Sequence, residues 1–452
     1  MARRRVLLTL EDTGPVVSSA MSLTAPAKLQ NSPAGFNIDS TFPAMPIHHH
    51  SARQTAMAMA SGTVSPRSVN RFGAASYVVR GWVDSDDLPA AMQHAKTADG
   101  KPRLFSDPDI AGFATCGGDP PVGSSLDIKR LLGVGRLQQL GMDGSGVALA
   151  IVDTGVNLPY LRGRGLTPNL DVHASWSSPI SQLTPGAAPV AHGTMCAYDA
   201  MLTAPNALLF DHAVLAGAAP GGSIMSGTLS NAVASYSKLL QLMGSSAEER
   251  NFHSLVVSNS WGMFDEAWDF PPGSPGRYAD NLNHPFNILV GNLAAAGADI
   301  LFAAGNCGPT CPDGRCSHPV PKIFLANCHP DVTCVAGVDA LKALVGYSSQ
   351  GPDILGGQKP DLASYTHFLG SEVFGAGQPD SGTSAACPVL AGVVAALRSV
   401  YPFDPAIANR APANIRQFLI AGAAGGPGAW QADLGHGIVD TSGFAGAAPT
   451  LH

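Results

Sequence analysis

Six consecutive apolar residues, Val147-Ala148-Leu149-Ala150-Ile151-Val152, run without a break into Asp153-Thr154-Gly155. A strand with no polar alternate position has no face to offer water, so it belongs inside a sheet covered on both sides. Similar runs recur at 255–257, 300–304 and, shorter, 332–338, with helical stretches between them at 231–243 and 285–296. Buried strands alternating with helices predict a doubly wound, mostly parallel α/β sheet, with its site at the carboxyl ends of the strands.

The 452 residues leave room for more than this sheet, since domains commonly hold about 150. Residues 6–10 and 75–83 read as strands, 87–96 as a helix capped by Asp86 or Asp87, and the chain from 103 onward as a returning strand. This predicts a small α+β unit ending near residue 115. The run Gly-Gly-Asp-Pro-Pro-Val-Gly-Ser-Ser at 117–125 then punctuates the chain as a linker. The expected organisation is an N-terminal region and linker over 1–122 and a larger domain over 123–446, opening with a helix at 126–140.

Charged residues make up 13% of the chain, against about 25% in an average domain, which excludes a charged disordered polymer. The net charge is −7 and the longest basic stretch is Arg3-Arg4-Arg5, so a nucleic-acid footprint is missing. Only residues 6–10 run apolar before Glu11 and Asp12, too short for a signal-peptide core or a membrane span. The expectation is no membrane partner and a chain that, as written, begins in the cytoplasm, with secretion by another route left open.

Three elements carry chemistry. Asp153 ends the apolar strand, His192-Gly193-Thr194 opens a helical stretch, and Asp380-Ser381-Gly382-Thr383-Ser384 feeds a small-residue helix from Pro388 onward. Each has a bland reading alone: a turn cap, a helix-end histidine, an N-cap serine. Together they supply a nucleophile, a base to take its proton and a carboxylate to orient that base. Their chain order, Asp then His then Ser, is the subtilisin order.

With these blocks the chain resembles the subtilase family of serine endopeptidases over roughly residues 126–444. Gly217-Ala218-Ala219-Pro220, Val257-Ser258-Asn259-Ser260-Trp261-Gly262, Phe302-Ala303-Ala304-Gly305-Asn306, Tyr347 to Pro352 and Lys359-Pro360-Asp361 match further family segments. The resemblance implies a subtilisin-like fold and hydrolysis of peptide or protein substrates through Ser384, His192 and Asp153. It implies an oxyanion donor in Asn306, and substrate binding by Ser260, Trp261, Gly262, Ala303, Ala304 and Gly305. It requires no cofactor for the chemistry, assigns no metal ligand and leaves a structural metal open. It also makes the N-terminal region a candidate intramolecular inhibitor that lays its tail through the groove. Met195 stands where the family usually has a second histidine, the segment 223–230 is short for the second wall of the groove, and Asp361 is followed by Leu-Ala-Ser.

Eight cysteines fall at 116, 196, 307, 311, 316, 328, 334 and 387. Cys196, four residues after His192, lies on the same helix face, as does a buried thiol in some similar subtilases. It and Cys387 read as small buried hydrophobes, a disulfide between them being the alternative. The 307–334 cluster, with His318 and His329 interleaved, is open to zinc, disulfides or free thiols, although its spacing lacks a paired C-x2-C. His48-His49-His50 reads as a solvated loop. A catalytically idle protein that binds peptides or a partner on the same fold is the competing function. Nucleotide binding fails, because Gly133-Val134-Gly135 lies inside a helical stretch and not after a strand.

Overall fold

The structure is a computed structural model that describes residues 3–11, 33, 35–47, 76–112, 115, 119–179, 181–217, 225–245, 249–316, 323–424 and 429–451. His48 to His50, Cys116, Ala218 to Pro220 and His318 lie outside these residues.

In the N-terminal region β1 (Arg3–Glu11) lies between β2 (Ser76–Asp84) and β3 (Leu104–Ser106), antiparallel to both, and α1 (Leu88–His94) joins β2 to β3. Side chains alternate as a pleated strand requires. Val6 and Leu8 pack with Val79, Val83 and Ala91 on the α1 side, while Leu7, Val78 and Phe105 join a core shared with the larger unit. The chain continues through β4 (Asp109–Gly112), α2 (Ser125–Leu131) and α3 (Val134–Gln139). The single helix expected over 126–140 is two, because Gly133 between them has φ of 56°. Ser124 and Asp127 form a reciprocal capping box at the start of α2.

The larger unit then runs β5 (Val147–Asp153), α4 (Leu158–Gly163), α5 (His192–Met201), β6 (Leu208–Ala213), β7 (Leu215–Gly217) and β8 (Met225–Thr228). After these come α6 (Leu229–Gly244), β9 (Ser254–Asn259), β10 (Trp261–Gly262), α7 (Pro285–Ala295) and β11 (Asp299–Ala303). β12 (Thr333–Val338), β13 (Leu362–Tyr365) and α8 (Thr383–Val400) complete what positions the site.

The large sheet has the order β13-β12-β11-β9-β5-β6, with Asn169–Leu170 and Trp176–Ser177 beyond β6, and every pair is parallel. All seven residues of β5 are buried. Leu149 and Ile151 face α5 and α8, and Ala148, Ala150 and Val152 face α6 and α7. The winding reverses beside β5, where β6 follows on one side and β9, β11, β12 and β13 fan out on the other. The crevice therefore opens at the carboxyl ends of β5 and β9. Among the described residues α8 alone is long and apolar enough to cross a membrane, and it is buried in this core.

A second, four-stranded sheet forms the groove. Its order is β7-β8-β4-β10, so β4 of the N-terminal region lies antiparallel between two strands of the larger unit. The registers are Ser226 with Ala111, Gly227 with Ile110, Trp261 with Gly112 and Gly262 with Ala111. Within the segment 223–230, residues 225–228 form β8, which pairs with β4 on the side opposite β10.

Candidate active site

Asp153 ends β5 and His192 opens α5, so the chain delivers a carboxylate and an imidazole to one crevice from two elements. His192 Nδ1 donates to Asp153, 2.9 and 3.0 Å from its two oxygens, and both side chains are buried. The neighbouring residues lock this contact: Gly193 N–H donates to Thr154 Oγ1 at 2.9 Å and Asn157 N–H to Thr194 Oγ1 at 3.1 Å. A Cβ on Gly193 would sit 2.6 Å from Gly155 O, so only glycine lets α5 start this close to the end of β5.

Ser384 is the second residue of α8, in the first turn, whose N–H groups have no acceptor within the helix. Its Oγ donates to Ser260 O at 3.5 Å, and Ser260 Oγ donates back to Ser384 O at 3.0 Å. His192 Nε2 is buried with no hydrogen bond among the described residues. The Ser–His hydrogen bond is thus unformed here, a common state before substrate arrives. Cys196 shows how close the groups are: its Sγ lies 3.7 Å from His192 Nδ1, 3.8 Å from Asp153 Oδ2 and 3.6 Å from Ser384 O. Burial, reinforced by the Asp153 charge, pushes this thiol well above its ordinary range, so it stays neutral.

Asn306 follows β11 and faces the start of α8. Its Oδ1 accepts from Thr383 N–H at 2.9 Å and from Thr383 Oγ1 at 3.0 Å, and Thr383 Oγ1 accepts from Gly305 N–H at 3.0 Å. Gly382, at φ 80°, brings the backbone so near that a Cβ would meet Asn306 Nδ2 at 2.8 Å. The amide nitrogen is therefore held at the turn that carries Ser384.

Trp261 and Gly262 offer their backbone to β4, whereas the Trp261 ring turns inward between Phe286 and Phe302 and donates to Val152 O at 3.0 Å. The two blocks expected to bind substrate are tied together by Asn327, whose Nδ2 donates to Trp261 O at 2.9 Å and Ala303 O at 2.8 Å. Asn327 carries no signal in the sequence, since nothing local distinguishes it from a loop asparagine.

A carboxyl pair also escaped the sequence reading. Asp199, two turns after His192, is fully buried, and among the described residues no N–H or O–H of another side chain or backbone reaches either oxygen. Asp380, four residues before Ser384, is its electrostatic partner: next to that charge a shared proton is favoured over two ionised carboxyls. Asp380 also accepts from Ser371 N–H and from Ser371 Oγ at 2.5 Å. Arg164, paired with Glu372, and Tyr160 and Tyr198 are the other titratable groups around it. Burial pushes Asp380 up to about 6 and Asp199 well above the carboxyl range.

Acids raised in the folded state stabilise fully below their unfolded value near 4 and lose that contribution as pH rises through the folded values. Asp199→Asn keeps a donor toward Asp380 and removes one ionisation. The variant should therefore match the parent in thermal midpoint at pH 5 and exceed it by a few degrees at pH 8. Equal losses at both pH values in calorimetry would exclude proton sharing.

The cysteine cluster resolves into separate parts. Cys307 and Cys316 form a disulfide, Cys311 is also disulfide-bonded, and Cys328 and Cys334 are free and buried. Three of the five cysteines of the zinc alternative are thereby used up. Cys196 and Cys387 are both free, so the alternative of a disulfide between their helices falls. Among the described residues the one group able to surround an ion is Asp153, His192 and Cys196. It could do so only by giving up the Asp–His hydrogen bond.

Fold and site together define a doubly wound parallel-sheet protein with an Asp–His pair and a helix-start serine at the carboxyl ends of its central strands. The Subtilase family model matches residues 144–437, and the chain belongs to that family. It is 34% identical over 168 residues to human membrane-bound transcription factor site-1 protease, covering 36% of this chain and 15% of that protein. It is 33% identical over 168 residues to subtilisin-like protease SBT6.1 of Arabidopsis thaliana, with the same coverage of each. With serine protease AprX of Bacillus subtilis (strain 168) it shares 25% identity over 290 residues, 58% of this chain and 59% of that protein. The chain thus spans about 15% of the length of the first two relatives.

Proposed function

We propose that this chain is a serine endopeptidase that cuts peptides or proteins lying extended in the groove between β8 and β10. The observation that carries the reading is the Asp153–His192 hydrogen bond at the carboxyl end of β5, with Ser384 at the start of α8 against the same Cys196 sulfur. His192 Nε2 takes the Ser384 Oγ proton as Oγ attacks the carbonyl carbon. Asn306 Nδ2 and Ser384 N–H receive the charge that gathers on the carbonyl oxygen. His192 then gives the proton to the leaving amine, and a water repeats the sequence to release the acyl group and restore Ser384. Asp153 holds Nδ1–H and stabilises the imidazolium throughout.

The endopeptidase assignment is supported by what fills the groove. β4 enters as an internal stretch of chain, and beyond it Thr115 Oγ1 lies 3.4 Å from Ser381 Oγ, so the groove accepts polypeptide that continues past both ends. The same occupancy makes the N-terminal region an intramolecular inhibitor in this reading, and Ser384 is fully buried. Small, uncharged Ala303, Ala304 and Gly305 beside Ser260 and Gly262 favour large apolar residues over Lys or Arg on the acyl side of the cut. The Cys307–Cys316 disulfide favours an oxidising compartment as the place of action.

A fluorophosphonate should label Ser384, and a peptide blocked at both termini should be cut internally. Mass spectrometry reads both results. A chain that takes no label and leaves blocked peptides intact even after limited proteolysis has cut away the N-terminal region would be an idle binding protein.

A further inference from the structure

The strand in the groove is gripped by a side chain as well as by backbone. Arg315 Nη2 donates to Gly112 O at 2.7 Å. The guanidinium is fixed from three sides. Its Nε and Nη2 fork onto Asp313 at 3.0 and 2.6 Å, and it lies 4.4 Å over the Phe264 ring. Asp313 is buried and its N–H donates to Asn306 O at 2.7 Å. Cys316, next after Arg315, is bonded to Cys307, next after Asn306. One loop thus begins at the proposed oxyanion amide and ends at Arg315, and both of its ends are pinned.

We propose that Arg315 is a substrate-orienting residue whose guanidinium donates a charge-assisted hydrogen bond to a main-chain carbonyl on the acyl side of the scissile bond. The position follows from the register. Gly112 pairs with Trp261, and the next residue of the wall is Ser260, whose carbonyl is the contact of Ser384 Oγ. A substrate in this register presents its reacting carbonyl one residue past the position of Gly112. Arg315 therefore holds the carbonyl of the residue just before the one that is attacked. Every residue has that carbonyl, so the contact selects an extended backbone and not a side chain. A guanidinium already forked onto Asp313 loses little freedom on binding, which is why its hydrogen bond should count.

This assignment rests on the serine endopeptidase reading, and the test separates the two. Parent, Arg315→Ala and Arg315→Lys are prepared as full chains, with the processing state of each checked by mass. They are assayed on two blocked peptides identical except that the accepting carbonyl is an amide in one and a thioamide, a weaker acceptor, in the other. Arg315→Ala should raise KM roughly tenfold on the amide peptide, with kcat changed less than about twofold. On the thioamide peptide the same variant should differ from the parent by less than about twofold, and Arg315→Lys should recover part of the loss on the amide. Equal losses on both peptides, or none on either, overturn the assignment. Parental rates of fluorophosphonate labelling in the variants show an intact centre, and if the alanine variant fails to label, the lysine variant carries the same comparison. A parent that neither labels nor cleaves, before or after limited proteolysis of its N-terminal region, refutes the peptidase reading instead.

Discussion

Ser384→Ala and His192→Ala should each lower kcat for peptide hydrolysis on the order of 10⁶-fold, the size seen when such residues are removed from subtilisin. Asp153→Ala should cost less, roughly 10⁴-fold, because the imidazole remains but loses its orienting carboxylate. The double variant lacking both Ser384 and His192 should be no worse than either single one, since a nucleophile without its base and a base without its nucleophile are equally idle. Steady-state kinetics on a blocked peptide checks all four. Retention of parental turnover by Ser384→Ala would end the assignment, and additive losses in the double variant would show that the two residues do not act as one unit. The near-silence of Cys196 is part of the same expectation. It touches the histidine, but its neutral thiol offers no competing nucleophile.

Asn306→Leu should lower kcat roughly 10²–10³-fold with KM little changed, because the amide's bond to the carbonyl oxygen strengthens only as charge develops there. The geometry argues for the upper part of that range. Thr383 fixes Oδ1 through two hydrogen bonds, so Nδ2 needs no reorganisation when the oxyanion forms. The loss should be the same across the working pH range, since neither the amide nor its replacement titrates. Thr383→Val, which removes one of the two anchors and keeps the amide, should cost much less. A rise in KM alone for Asn306→Leu would place the residue in ground-state binding instead.

How much of this was legible beforehand varies with distance along the chain. The strand through Val152 and the carboxylate after it could be read directly, because a run of six apolar residues has one environment open to it. The helices at 231–243 and 285–296 and the strands at 255–257, 300–304 and 332–338 appear where expected, with ends shifted by a few residues. The helix carrying Ser384 begins earlier than read: it starts at Thr383 and passes through Pro388, whose missing N–H leaves Ser384 O free to accept from Ser260 Oγ at 3.0 Å. Gly133 was harder, since a glycine inside a helical pattern is read as a tolerated defect until its left-handed φ is seen to split the helix.

What the sequence by itself determined is local: which stretches are buried on both faces, where turns must fall, and which residue types could act as acid, base and nucleophile. What only the tertiary structure decided is every contact whose partners lie far apart in the chain. Asp199 reads as a charge on a helix until Asp380, 181 positions on, is found against it with no other donor near. Asn327 and Arg315 read as loop residues until Trp261, Ala303 and Gly112 are brought to them. The five clustered cysteines admitted several chemistries until Cys307 and Cys316 stood 5.8 Å apart at Cα. Periodicity records the environment of one segment, but a hydrogen bond or a shared proton depends on a distance of about 3 Å between segments, and packing alone sets that distance.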